Sequence, residues 1–385
     1  MNREIYLDNS ATTKPLNEVV NYINTINTYY YGNPSSLHSK GIEAEKLVKK
    51  ARQAIADSLN ADAKEMVFTS GGTEANNLAI LGYLEANPRK GRHVITSSIE
   101  HPSVLEVFKY LEGKGYSVDY IKVGANGIID VEDLRSKIND NTALISIMHV
   151  NNEVGSLQPV EEIARIRNSV NREAVLHVDA VQAYGKIKIT PRKSGIDMLS
   201  ASSHKIHGPK GVGALYVSRN IRIKPILLGG GQESLLRSGT ENVSGIGGFG
   251  LASETVLKSI DANYSAVGAL KEKLLKALKE NLEAFTPVSP EEGLPYILSL
   301  SFESVRSEVL LHHLEERGIF VSAGSACSSR KNVHSHVLKA MGFKTSNIEG
   351  TIRISLSPFN TEEDIYETVE ALKEIIPRIK VTRKG

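Results

Sequence analysis

The sequence predicts an α/β protein: a mostly parallel sheet with helices on both faces, then a smaller α+β unit. Three features point that way. Short apolar runs alternate with longer amphipathic ones from residue 66 to about residue 217. Those short runs are nearly continuously apolar, as strands buried on both faces must be. After about residue 240 long helical stretches and a few short strands replace the alternation.

Taken in order, "MVFTS" (66–70) reads as a strand and "TEANNLAILGYLEA" (73–86) as a helix. "HVITSS" (93–98) is strand-like and "PSVLEVFKYLEGKG" (102–115) helix-like. "TALISIMHV" (142–150) is a buried strand, "VEEIARIRNSV" (160–170) a helix and "AVLHVDAV" (174–181) another buried strand. "DMLSAS" and "GALYV" flank a Gly/Pro turn near residue 208. Beyond residue 240, "GFGLASETVLKSI" and "YSAVGALKEKLLKALKENL" read as long helices. "YILSLSF" (296–302), "SEVLLHHLEERG" (307–318), "IFVSA" (319–323), "TIRISLS" (351–357) and "TEEDIYETVEALKEII" (361–376) give a strand–helix–strand–strand–helix series. The loop "TPVSPEEGLP" (286–295) fits a join near the start of this second sheet.

Composition narrows the function. The 385 residues, 41% hydrophobic and 23% charged, are those of a soluble globular chain long enough for two domains. A net charge of +2, from 46 Lys+Arg against 44 Asp+Glu, gives no basic footprint for nucleic acid. No stretch approaches the roughly 18 apolar residues of a membrane span. "MNREIYLDNSATTKP" has no apolar signal core and reads as mature protein. The single cysteine, Cys327, cannot form an internal disulfide, so a cytoplasmic enzyme or binding protein is expected.

In such folds ligands bind beyond the carboxyl ends of the strands, and four polar clusters fall there. "TSGGTEANN" (69–77) turns on a glycine pair into a helix start, which suits a phosphate and equally suits simple capping. "MHVNNEVG" (148–155) places Asn151 and Asn152 after a buried strand, where Asn also serves loop backbone. "LHVDAVQAYGK" (176–186) ends an apolar strand on Asp179, a carboxylate that needs a partner, with Gln182 one step on. "SASSHKIHGPKGVGALYV" (200–217) sets Ser202, Ser203, His204 and Lys205 between apolar strands. A lysine buried there would have a lowered pKa, and a neutral amine can form a Schiff base. The strand-end Asp179, Lys205 and the Gly72–Thr73 helix start together suggest pyridoxal 5'-phosphate. Ser202 or His204 would help hold its phosphate, and Asp179 would face the ring nitrogen.

The motifs "YLDNSATT" (6–13), "YGNPSSLH" (31–38), "TSGGTEANN", "IEHPSV" (99–104), "NNEVG", "HVDAVQ", "SSHKIHGPKGVG", "GGGQE", "RSGTEN", "GSACSS" (324–329) and "IRISL" run in order along the chain. Together they resemble the cysteine desulfurases, of the class V aminotransferase fold. That resemblance implies a large pyridoxal-phosphate-binding domain with a mostly parallel seven-stranded sheet, expected at residues 16–255. A small domain would combine residues 1–15 with 256–385 and carry the cysteine loop. It also implies a homodimer that removes sulfur from L-cysteine, releases alanine and forms a persulfide on Cys327. Sulfur-acceptor proteins would take it onward, to iron–sulfur clusters or to thiolated transfer RNA and cofactors; a selenocysteine lyase or another class V enzyme is the alternative.

Carried over residue by residue, the resemblance makes Lys205 the pyridoxal lysine, His101 the ring-stacking histidine and proton handler, and Asp179 the ring-nitrogen carboxylate. Asn152 and Gln182 match residues at the substrate or ring substituents. Gly72, Thr73, Ser202 and His204 match the phosphate cradle, and Thr240 a phosphate contact donated by the second subunit. Arg353 matches the substrate-carboxylate arginine, for which a planar fork is suited. Cys327 matches the nucleophile, whose Gly/Ser-rich surroundings suit a loop that swings. Its loop resembles the extended form found in the branch that feeds several acceptors, whereas Ser234, Leu235 and Leu236 depart from the family pattern. No metal site is expected: His334 and His336 read as loop histidines. "EKLVKKARQ" (45–53) and the C-terminal "RIKVTRKG" read as solvated faces or tail.

Overall fold

The structure is a computed structural model that describes residues 3–323 and 334–380. Its largest element is a seven-stranded sheet. The strand order is Met66–Thr69, Gly213–Val217, Met198–Ser202, Val175–Asp179, Thr142–Met148, His93–Ser97, Ser117–Ile121. Only Gly213–Val217 runs against both of its neighbours; the other pairings are parallel. The mostly parallel seven-stranded sheet that the resemblance implied is therefore present. Six of the strands are buried at every residue, matching their continuous apolar runs. The strand missed by pattern, Ser117–Ile121, lies at the edge, where "SVDYI" is mostly half-buried or exposed.

A second, antiparallel sheet orders Ser322–Ala323, Thr351–Ser355, Ile297–Ser301 and Thr286–Pro287. The expected single strand 319–323 is split in two. Ile319–Phe320 pairs in parallel with Ile5–Tyr6, and after Val321 the chain changes partner to Thr351–Ser355. The N-terminal strand is thus placed beside the second sheet.

"EKLVKKARQ" proves to be more than a solvated face. It lies in helix Ser39–Ser58, whose Ala44, Val48, Ala51 and Ile55 are buried against helix Val243–Lys258. A Cβ on Gly250 would come within 2.7 Å of the Ala51 Cα, so the close crossing of these helices requires glycine there. Arg52 on the same helix makes a two-pronged ion pair with buried Glu233, at 2.6 and 2.7 Å. This pair anchors the Glu233–Leu235 turn, where three residues in succession have positive φ.

Candidate active site

The carboxyl ends of the central strands open into a cavity of about 500 Å³. Gly72, Thr73, His101, Asn152, Asp179, Gln182, Ser202, His204, Lys205 and Arg353 all line it. Of the described residues that the resemblance assigns to the site, Thr240 alone stays outside. It is exposed and borders a separate hollow of about 110 Å³ beside Ser70 and Arg237. The resemblance assigns it to the other subunit's site, and in its own chain it reaches no part of the main cavity. Cys327 falls outside the described residues.

Asp179 ends its strand as the pattern implied and is 5% exposed. Its Oδ2 accepts from Asn76 Nδ2 at 2.8 Å and its Oδ1 from the Val181 backbone N–H at 3.0 Å. The helix beginning at Gly72 continues through a wider turn at Leu78–Gly82 to Ala86, as the 73–86 pattern predicted. Gly72 is glycine for packing: a Cβ there would lie 2.6 Å from Val181 Cγ2.

Lys205 follows strand Met198–Ser202 in a short helical turn. Its Nζ donates to the carbonyls of Ser10 and Ala11. Gln182 is held at both ends: Nε2 donates to the Ser10 carbonyl at 2.9 Å, and Oε1 accepts from Lys186 Nζ at 3.0 Å. Burial, with Lys205 and Arg353 nearby, pulls the Lys186 amine down to about 7. His204 packs against Thr12 Oγ1 at 3.2 Å, and burial beside Lys205 brings it down to about 4, a neutral ring.

Arg353, 2% exposed, donates to Asp8 Oδ1 at 2.8 Å and to the Asn152 carbonyl at 2.9 Å, while its Nε is buried with no partner. Asn152 therefore lines the cavity and also anchors Arg353 through its backbone. Its neighbour Asn151 is structural: Oδ1 accepts from the Glu153 and Val154 amides, and Nδ2 donates to the Ile99 carbonyl.

His101 caps helix Pro102–Gly113. Its Nδ1 accepts from the Ser103 backbone N–H at 3.1 Å and lies 2.8 Å from Ser103 Oγ. Burial lowers its pKa; Lys205 and His336 act the same way and Asp179 opposes them.

Sequence reasoning missed several residues that line the cavity. Asn76 and Ser103 lie in the stretches "TSGGTEANN" and "IEHPSV" but are not singled out there. Glu153 is pushed up to about 7 by burial and accepts from Ser335 Oγ at 2.5 Å. His334 and His336, read as loop histidines, border the cavity, and His336 Nε2 lies 2.9 Å from the Glu100 carbonyl. Their one signal was proximity in sequence to Cys327.

The donor set fits pyridoxal phosphate. Ser202 Oγ lines the cavity and is buried without a hydrogen-bond partner, a polar group that needs an acceptor or donor such as a phosphate oxygen. An amine, a strand-end carboxylate, a histidine ring and a helix start share the cavity with it.

Such a set on a mostly parallel sheet defines a class V aminotransferase-type site, and the comparisons agree. The family model for aminotransferase class-V matches residues 5–367. A cysteine desulfurase, IscS 1, of Archaeoglobus fulgidus is 42% identical over 371 residues, spanning 96% of this chain and 96% of its own. A solved NifS-like protein superposes with a TM-score of 0.92 at 39% identity, covering 98% of this chain and all of its own. SspA in complex with cysteine superposes with a TM-score of 0.82 at 37% identity, covering 92% of this chain and 99% of its own. The chain belongs to the cysteine desulfurases of the class V aminotransferase family.

Proposed function

We propose that this desulfurase takes L-cysteine as substrate, holds pyridoxal phosphate in the main cavity, and places the sulfur on Cys327 as a persulfide. The observation that carries this reading is the convergence of Lys205, Asp179, His101 and Arg353 on one cavity that also contains the unsatisfied Ser202 hydroxyl. The structural neighbour bound to cysteine supports the substrate. When bound, the cofactor supplies an electron sink that acidifies the substrate Cα–H and weakens its Cβ–S bond.

The protein's own residues do the rest. Lys205, whose Nζ is bonded to the Ser10 and Ala11 carbonyls, would hold the cofactor through its amine. Asp179, fixed by Asn76 and the Val181 amide, would face the ring nitrogen and favour its protonated form. Gly72, Thr73, Ser202 and His204 would hold the phosphate, and Thr240 of the second subunit would complete its cradle. Gln182 faces a ring substituent and Asn152 the substrate. Arg353 binds the substrate carboxylate. The Cys327 thiolate takes the substrate sulfur: the Cβ–S bond breaks, an S–S bond forms, and a proton at Cβ completes alanine.

A homodimer fits the strongly exposed Leu37, Leu228 and Leu235. The same reading keeps the division into a large domain at 16–255 and a small one formed by 1–15 with 256–385. It also assigns the enzyme to the cytoplasm, serving iron–sulfur or thiolation acceptors.

Incubation of the purified protein with L-cysteine tests it. Alanine and a 32-Da adduct on Cys327 are expected by mass spectrometry, roughly the mass of one sulfur atom. Cys327→Ser should abolish the adduct, and Lys205→Ala the visible absorbance of the lysine-bound cofactor. A protein that binds pyridoxal phosphate yet makes no alanine from cysteine defeats the proposal.

A further inference from the structure

We propose that Ser103, oriented by Asn76, is a positioning residue that keeps the His101 proton on Nε2, so that His101 serves as a hydrogen-bond donor and not as the base of the reaction. This rests on the site reading above and changes the role that the resemblance gives to His101.

The hydrogen-bond directions leave one solution. Asn76 is fully buried, and its Nδ2 lies 2.8 Å from Asp179 Oδ2 and 2.9 Å from Ser103 Oγ. Turning the amide over would set its oxygen against the carboxylate, acceptor to acceptor, so the NH₂ must face Asp179. One amide hydrogen goes to Asp179 and the other to Ser103 Oγ. Having accepted, the Ser103 hydroxyl gives its own hydrogen to His101 Nδ1, 2.8 Å away. The Ser103 backbone N–H, which can only donate, reaches the same nitrogen at 3.1 Å. Nδ1 is therefore the bare nitrogen, and the proton of the neutral ring sits on Nε2, the atom left for the cavity.

Chemistry follows from that tautomer. A base needs a bare nitrogen facing the substrate, and the only bare nitrogen here is occupied by two donors. Giving up the Nε2 proton would leave an imidazolate, far too basic to form near neutral pH. Protonating Nδ1 would break two hydrogen bonds, and burial with Lys205 and His336 opposes the added charge against the pull of Asp179. A neutral ring that donates from Nε2 can still stack on a cofactor and polarise an oxygen or sulfur. Proton transfer at the substrate then falls to the Lys205 amine, which lines the same cavity.

The test uses the full-length holoprotein with ¹⁵N-labelled histidine. Eleven histidines are present, and His101 is assigned by its loss in His101→Gln. Nitrogen shifts at neutral pH should show a bare Nδ1 and a protonated Nε2. In Ser103→Ala, which removes one of the two donors, the titration midpoint of His101 should rise by about one pH unit. Ser103→Thr should restore it. Asn76→Ala, which leaves the hydroxyl but removes its orienting donor, should move the midpoint the same way by less, and it carries the test if Ser103→Ala does not fold. A proton on Nδ1 in the wild type, or midpoints unmoved in the folded variants, overturns the inference while leaving the desulfurase reading intact. Wild-type protein unable to retain pyridoxal phosphate would sink the site reading and leave the tautomer result standing.

Discussion

Glu100 precedes His101 and is fully buried. Its Oε1 accepts from Ser97 and from the Met148 amide at 3.0 Å, while its Oε2 has no partner. Burial pushes its carboxyl up to about 8 from an ordinary value of 4.5. Between those two pH values the folded protein holds a proton that the unfolded chain releases, so this group's contribution to stability falls as pH rises through the window. Glu100→Gln, neutral at every pH, should escape that loss. Calorimetry should find the variant's melting temperature gaining on wild type from pH 5 to pH 9, by the equivalent of a few kcal/mol; a constant offset would refute the assignment. At this scale the sequence was legible where a polar residue sat at an unreasonable place. Asp179 and Lys205 stood out because apolar strands surround them. Asn76 and Ser103 did not, because Asn and Ser near a helix start have the ordinary explanation of capping. Only the fold brings the two side chains into one buried relay with Asp179.

At the scale of elements, the crossing of helices Ser39–Ser58 and Val243–Lys258 sets two known magnitudes against each other. Gly250→Ala would gain about 1 kcal/mol of helix propensity. The new methyl would meet the Ala51 backbone at 2.7 Å, and overpacking of that kind costs about 1–3 kcal/mol. Because the obstacle is backbone, the clash should win: Gly250→Ala should be destabilised in urea titration, and Gly250→Val more so. A more stable alanine variant would mean that the helices can move apart without loss. Most elements were legible as strand or helix, because period-2 and period-3.6 patterns survive wherever one face is buried. The strand at 319–323 was misread as continuous because five residues carry no mark of a change of partner. Edge strand Ser117–Ile121 was missed because an edge has fewer buried positions to mark it.

Across the whole molecule, the N-terminal segment ties distant parts together. Asp8 pairs with Arg353 at 2.8 Å, the Asn9 side chain donates to the Ser355 carbonyl at 2.8 Å, and Thr13 is bound to the residue 204 backbone at 2.9 Å. Asp8→Ala would leave the buried Arg353 guanidinium without its counter-charge, a loss of about 3–5 kcal/mol in comparable pairs. Both a lower melting temperature and a higher KM for cysteine are expected if, as proposed above, the Arg353 fork binds the substrate carboxylate, because that fork would no longer be aimed. Unchanged KM with reduced stability would separate Arg353 from substrate binding.

The pairing of Ile5–Tyr6 with Ile319–Phe320 also bears on biogenesis. The first residues leave the ribosome more than three hundred positions before their strand partner, and the Ser10 and Ala11 carbonyls that receive Lys205 come with them. Translation at about 5–20 residues per second makes that a wait of roughly 15 to 60 seconds. The pocket is thus completed only once synthesis is nearly over, and a nascent chain halted before residue 319 lacks its finished walls.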